Sequence, residues 1–143
     1  MVGEKKMSDE RKNTWKRGAR IAKQFNFSAS HQLPGVPKHH PCARLHGHNY
    51  MVEVEVRGDV NPHTGFVVDF RVINNAIKPL IERLDHRHLN DIIENPTAEN
   101  IAQWIMDEHR PHFAFSVKVW ETPKCWAKVL NPEGFWRIRD EQE

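Results

Sequence analysis

Two runs of strict alternation, about Gly18 to Ser30 and about Gly47 to Gly58, constrain this chain most, because each adjoins histidine. Successive side chains of a β-strand point to opposite faces. The first run puts Ala19, Ile21, Phe25, Phe27 and Ala29 on one face, leading to His31, with Lys23 the one misfit among them. Arg20, Gln24, Asn26, Ser28 and Ser30 face the other way. In the second run His46 and His48 share a face with Tyr50, Val52, Val54 and Val56, opposite Gly47, Asn49, Met51, Glu53, Glu55 and Arg57. Antiparallel pairing would lay the end of the first run beside the start of the second. His31, His46 and His48 then converge on the apolar face.

Three imidazoles with a fourth position left to water or substrate make the pattern of catalytic zinc, whereas four protein ligands close a structural site. Spacing alone leaves two other readings open. His46 and His48 can be ordinary polar residues at a strand entrance, and Cys42 can be a fourth ligand that closes the site. The loop between the runs carries Pro34, Gly35, Pro37, Pro41 and Cys42, and a loop of that length in a small domain is more often functional than idle.

At 143 residues the chain fits one domain with enough length for a real core. No apolar run approaches the ~20 residues of a membrane span, and the first ten residues lack the apolar centre of a signal peptide. A cytoplasmic protein with no membrane partner is the expectation. Cys42 and Cys125 form no close-spaced pair, so no disulfide framework is expected. The net charge of +2 is uneven: residues 1–17 hold six Lys/Arg against three Asp/Glu, leaving 15 against 16 for residues 18–143. The body of the protein therefore lacks a basic nucleic-acid surface. Residues 1–17 read as a flexible charged tail and 18–143 as the single domain.

Asp59 to Gly65 is dense in turn formers, and Phe66 to Val68 can add a short extended piece. Asp69 can cap a helix whose stripe is Ile73, Ala76, Ile77, Leu80, Ile81 and Leu84, with a bend or a fresh first turn expected at Pro79. The stretch Asp85 to Asn90 closes that helix. Thr97 can cap a second helix that buries Ile101, Ala102, Trp104 and Ile105 and stops before Pro111. A third strand alternates Phe113, Phe115, Val117 and Val119 inward and ends that row with Glu121. A hairpin at Pro123 leads to a fourth strand, about Cys125 to Leu130, and a short polar tail. The order ββααββ predicts an α+β fold, a four-stranded antiparallel sheet with two helices on one face.

The motifs Phe25-x-Phe27-Ser-Ala-x-His31, Cys42-x-x-x-His46-Gly-His48-Asn-Tyr50, Gly65-x-Val67-x-Asp69-Phe70, Leu84-Asp85-His86-x-x-Leu89-Asn90, Pro96-Thr97-x-Glu99-Asn100 and Glu121-Thr122 occur in this order. They resemble the 6-pyruvoyl-tetrahydropterin synthase superfamily. The three-residue gap between Cys42 and His46 resembles its 6-carboxy-tetrahydropterin synthase branch, of queuosine biosynthesis. The long charged N-terminus and Cys125-Trp126 depart from the family pattern.

The resemblance implies the tunnelling fold, in which sheets of several subunits join into a barrel. It implies a homo-oligomer, a hexamer of two trimers, with active sites between subunits. The implied reaction converts 7,8-dihydroneopterin triphosphate to 6-carboxy-5,6,7,8-tetrahydropterin, acetaldehyde and triphosphate, with zinc on His31, His46 and His48. The 6-pyruvoyl-tetrahydropterin synthase activity and a zinc- or pterin-binding protein without turnover are the alternatives. Cys42 is the implied base, and a thiol needs help to become thiolate at neutral pH. Asp85 and His86 are the implied proton relay, which from two residues alone would also read as helix-end chemistry. Glu121 is the implied anchor of the pterin ring, whose ring NH and exocyclic amine suit a bidentate carboxylate. Thr97 and Glu99 are further pocket candidates, equally explained by a helix N-terminus. Lys38 and Arg44 are candidates for the triphosphate.

Overall fold

The computed structural model describes residues 18–137. The expected tail of residues 1–17 lies outside the described residues. Within them run β1 (Gly18–His31), β2 (His46–Asp59), α1 (Phe70–Leu84), α2 (Ala98–Glu108), β3 (Ser116–Thr122) and β4 (Cys125–Leu130). Short 3-10 turns occupy Pro41–Ala43 and Leu89–Asp91. The strands form one antiparallel sheet in the order β1-β2-β3-β4.

β1 and β2 pair without a break, from Gly18 opposite Asp59 to His31 opposite His46. A slip of one residue would turn every side chain of β1 to the wrong face, so the apolar alternation fixes this register. Val52, Val54, Val56, Val117 and Val119 are fully buried beneath the two helices. α1 packs on β1, and α2 on β3 and β4. The buried stripe of α1 is Ile73, Ile77, Leu80, Ile81 and Leu84, and that of α2 includes Ile101, Ala102 and Ile105. Each Ile or Leu among them contributes about 1.5–3 kcal/mol by leaving water. Both caps are made as the sequence suggests. Asp69 Oδ1 accepts from Arg71 N at 2.8 Å, and Thr97 Oγ1 accepts from Asn100 N at 3.1 Å.

Four local expectations differ and a fifth is narrowed. Of the bend or fresh first turn expected at Pro79, the fresh turn is absent: α1 is continuous through Pro79, whose side of the helix is exposed, so water can satisfy the carbonyl that Pro79 cannot bond. Phe66 to Val68 is not a strand; Val67 and Val68 are both buried as the chain enters α1. Trp104 is only half-buried, beneath the Arg83 guanidinium at 4.8 Å, and Met106 takes a core position instead. β3 begins at Ser116, and Phe115 leaves the inward row: the guanidiniums of Arg57 and Arg20 lie 4.4 and 5.0 Å from its ring centre. Finally, residues 131–137 are no polar tail. They fold back so that Trp136 is 3% exposed against Phe113, with its backbone N–H donating to the Arg57 carbonyl at 2.8 Å.

After α1, Asp85 caps the helix and His86 turns the chain with φ 58°, a left-handed conformation unusual outside glycine. Residues 86–88 then run along the outer edge of β1. His86 N donates to Ser28 O at 2.6 Å, Ser30 N donates to Arg87 O at 3.1 Å, and His88 bridges Ser30 in parallel.

Candidate metal centre and active site

His31 ends β1, fully buried, and its register partner His46 opens β2 with His48 two residues on. Their side chains continue the inward rows of Ala29 and Tyr50. His31 Nδ1 lies 2.8 Å from the Pro96 carbonyl and 3.2 Å from the Tyr50 hydroxyl. His46 Nδ1 lies 2.7 Å from the Arg44 carbonyl. A carbonyl only accepts, so both Nδ1 atoms carry hydrogen and both Nε2 atoms of the neutral rings present lone pairs.

Those two Nε2 atoms stand 2.8 Å apart. Two lone pairs at that distance repel unless a proton or a cation lies between them. The Nε2 of His48 is buried without a hydrogen-bond partner, with Glu121 Oε1 3.4 Å away. One ligand atom from each ring lies within 4.8 Å of the others. This donor set fits a divalent metal: three imidazoles, two of which have their outer nitrogens held by backbone carbonyls. Burial lowers the pKa of His31 and of His48, against the pull of the Pro96 carbonyl on the first and of Glu121 on the second. The neutral, metal-binding form is thereby favoured. Burial raises the pKa of Tyr50 and keeps its hydroxyl protonated.

Cys42 is half-buried in the turn Pro41–Ala43 and is not part of the three-imidazole group. Its N–H donates to His40 Nδ1 at 3.0 Å, and its carbonyl accepts from Leu33 N at 2.8 Å. Both contacts fix the backbone beneath the thiol.

Asp85 and His86 form a pair with Oδ2 and Nδ1 2.9 Å apart. Asp85 Oδ1 also accepts from Ser28 N at 2.9 Å. That backbone donor first, and the His86 ring second, hold the Asp85 carboxyl below the usual carboxylate range. His86 borders an open cleft of about 480 Å³ that Ser30, Gly47, His48 and His88 also line. Among the described residues, no hydrogen bond joins the pair to Cys42 or to the three imidazoles.

Glu121 lies at the end of β3, where its inward alternation placed it, beside His48. Thr97 spends its side chain on the α2 cap, and Glu99 is exposed in the first turn. Neither touches the imidazoles, but the Pro96 carbonyl before them holds His31. Sequence reasoning missed the two carbonyls of Pro96 and Arg44, which no residue type announces. It placed Tyr50 on the right face without seeing that its hydroxyl meets His31.

The family model described as 6-pyruvoyl tetrahydropterin synthase matches residues 20–132. The chain is 40% identical over 124 residues to a 6-carboxy-5,6,7,8-tetrahydropterin synthase of Synechocystis, covering 78% of this chain and 93% of the relative. It is 38% identical over 101 residues to a dihydroneopterin monophosphate aldolase of Pyrococcus furiosus, covering 71% and 83%. The solved structure of 6-pyruvoyl tetrahydropterin synthase from Caenorhabditis elegans superposes with a TM-score of 0.73 at 26% identity, over 81% of this chain and 97% of that one. With the fold, the imidazole cluster and these matches in agreement, the chain belongs to the 6-pyruvoyl tetrahydropterin synthase family.

Proposed function

We propose that this protein is a zinc-dependent carbon-carbon lyase. It converts 7,8-dihydroneopterin triphosphate to 6-carboxy-5,6,7,8-tetrahydropterin, acetaldehyde and triphosphate, a step of queuosine biosynthesis in the cytoplasm. The observation that carries this reading is the convergence of three imidazoles, two with Nε2 atoms 2.8 Å apart, in a chain 40% identical to a 6-carboxy-tetrahydropterin synthase.

His31, His46 and His48 would hold zinc, which when bound supplies a Lewis acid for the substrate's side-chain hydroxyls and makes the neighbouring carbon more acidic. Cys42 takes the proton from the side-chain carbon beside the ring. Asp85 keeps the hydrogen of His86 on Nδ1, so that Nε2 can accept or deliver a proton at the reacting side chain. Glu121 grips the ring NH and exocyclic amine with its two oxygens, and Thr97 and Glu99 are the further candidates for contact with the substrate. The Asp85–His86 pair makes no bond to Cys42 within one chain. This separation supports a site completed between copies in a homo-oligomer, a hexamer of two trimers in the reading from resemblance.

Product analysis after incubation with 7,8-dihydroneopterin triphosphate tests the proposal. Acetaldehyde with the 6-carboxy product supports it, and a 6-pyruvoyl product transfers the chain to the other synthase activity. Preferential turnover of dihydroneopterin monophosphate would favour the aldolase activity named for the Pyrococcus relative. A metal-loaded protein that turned over none of these would be a binding protein.

A further inference from the structure

Four of the described arginines are engaged locally. Arg20 and Arg71 bind the carboxylates of Glu55 and Asp69, while Arg57 and Arg110 donate to backbone carbonyls. Arg83 and Arg87 do neither. Both are exposed, and among the described residues neither guanidinium has a hydrogen bond or a carboxylate partner. They line one groove of about 360 Å³ together with His88, Asp91 and Ile92.

Each basic group of this groove is mounted on something rigid. The Arg83 guanidinium lies over the Trp104 ring at 4.8 Å. Arg87 follows the left-handed turn at His86, and its carbonyl is tied to Ser30 N at 3.1 Å. His88 Nδ1 lies 3.1 Å from the Ser30 hydroxyl; with that hydroxyl donating, the Nε2–H of His88 remains a free donor. Asp91 is the one carboxylate in the lining, so two permanent cations outweigh one anion. One guanidinium seated on an indole face and a second carried by a tied backbone suit phosphate oxygens, which guanidiniums can bind in bidentate fashion. Arg87 and His88 also line the cleft of about 480 Å³ that holds His86 and His48. The groove therefore opens from the place where the proton relay stands.

We infer that the groove of Arg83, Arg87 and His88 is an anion subsite that holds the phosphate tail of the pterin substrate while its reacting carbons lie against His86. This inference rests on the proposed reading of the substrate as a pterin phosphate ester. It replaces the loop cations Lys38 and Arg44 as the phosphate-binding groups. Because the subsite follows Asp85 and His86 in the chain, it stays with the relay whichever copy's imidazoles complete the site.

The test is calorimetric titration of the full chain with inorganic tripolyphosphate, followed by steady-state kinetics. Arg87→Ala is the main variant, since the side chain is exposed and unpartnered; Arg83→Lys keeps a charge and an aliphatic stem over Trp104. The expected result is a tenfold or greater loss of tripolyphosphate affinity in Arg87→Ala, with a smaller loss in Arg83→Lys. KM for the triphosphate substrate should rise by a similar factor while kcat stays within about twofold. Equal affinities in wild type and Arg87→Ala would overturn the inference, as would a loss confined to a Lys38→Ala/Arg44→Ala variant. So would weakened tripolyphosphate binding without any change in KM, because the groove would then take only free polyphosphate. The titration needs no turnover: tripolyphosphate binding through Arg87 in a protein that released no pterin product would support the anion subsite and count against the proposed function.

Discussion

His109 offers the sharpest test of how this domain is held together. It follows α2, is fully buried, and its Nδ1 lies 3.2 Å from the Ile105 carbonyl. Its Nε2 accepts from two backbone donors, Phe113 N and Ala114 N, each at 3.1 Å. One neutral ring with hydrogen on Nδ1 satisfies all three. Protonation would set an N–H against two N–H donors. Burial, with the neighbouring His112 and Arg110 adding to it, lowers the pKa of His109. The native state therefore binds fewer protons than the unfolded chain below the ordinary histidine pKa of about 6.5. Stability from this group is fully present above that value and is lost as pH falls towards the lowered folded pKa. The slope is at most about 1.4 kcal/mol per pH unit for one proton. His109→Leu removes both the titration and the acceptor. Two buried N–H groups without a partner cost about 1–3 kcal/mol each, so the variant should lose about 2–6 kcal/mol at pH 7.5, out of a typical 5–15. Urea unfolding with chelator in both arms, at pH 7.5, 6.5 and 5.5, measures both effects. Wild type should weaken more steeply than His109→Leu between pH 6.5 and 5.5. Parallel pH profiles, or a cost under about 1 kcal/mol at pH 7.5, would refute the argument.

The site yields further expectations. His31→Ala should abolish stoichiometric metal in an emission assay, and chelation of wild type should stop turnover until zinc is restored. Cys42→Ala should retain its metal yet lose about 10²–10⁴-fold in kcat, the usual range for a positioned acid or base; intact product formation would remove Cys42 from the role of base. Glu121→Gln should keep metal and raise KM for the pterin tenfold or more, because one donor of the ring edge meets an amide NH₂ instead of an oxygen. Gly134→Ala should destabilise the domain by several kcal/mol, read from the urea midpoint: a Cβ there would stand 2.1 Å from the Ala114 carbonyl oxygen.

The strand core and the imidazole cluster were legible because parity is a strict constraint. Once Phe25, Phe27 and Ala29 face inward, His31 must follow them, and once Val52 and Tyr50 do, so must His48 and His46. Helix α1 was legible from Asp69 and its stripe. What escaped was set by tertiary contacts that residue type does not encode. Phe115 breaks parity because two arginines offer it a better seat on the polar face than the core offers. Trp136 sits in a segment too short and too polar to read as structure, and its burial depends on residues 131–137 folding back over Ala114 and Gly58. His109 looked like any polar residue beyond a helix, since its worth lies in two backbone N–H groups brought to it by the path of the following loop.

The imidazole cluster and the thiol are linked through the same backbone. His46 cannot aim Nε2 at His31 unless the Arg44 carbonyl holds its Nδ1, and Arg44 is two residues beyond Cys42. The other side of the cysteine is pinned by the bond from Leu33 N to its carbonyl, and Leu33 is two residues beyond His31. The loop that carries the thiol thus begins and ends on imidazoles of one cluster. A cation drawing the two rings into a fixed geometry would fix both ends of that loop. Removing it would leave two lone pairs repelling at 2.8 Å and transmit the strain to residues 33–44. Protection of the Leu33 amide against hydrogen exchange should consequently rise on metal binding, whereas amides in the centre of β2 such as Val54, already locked in the sheet, should change little.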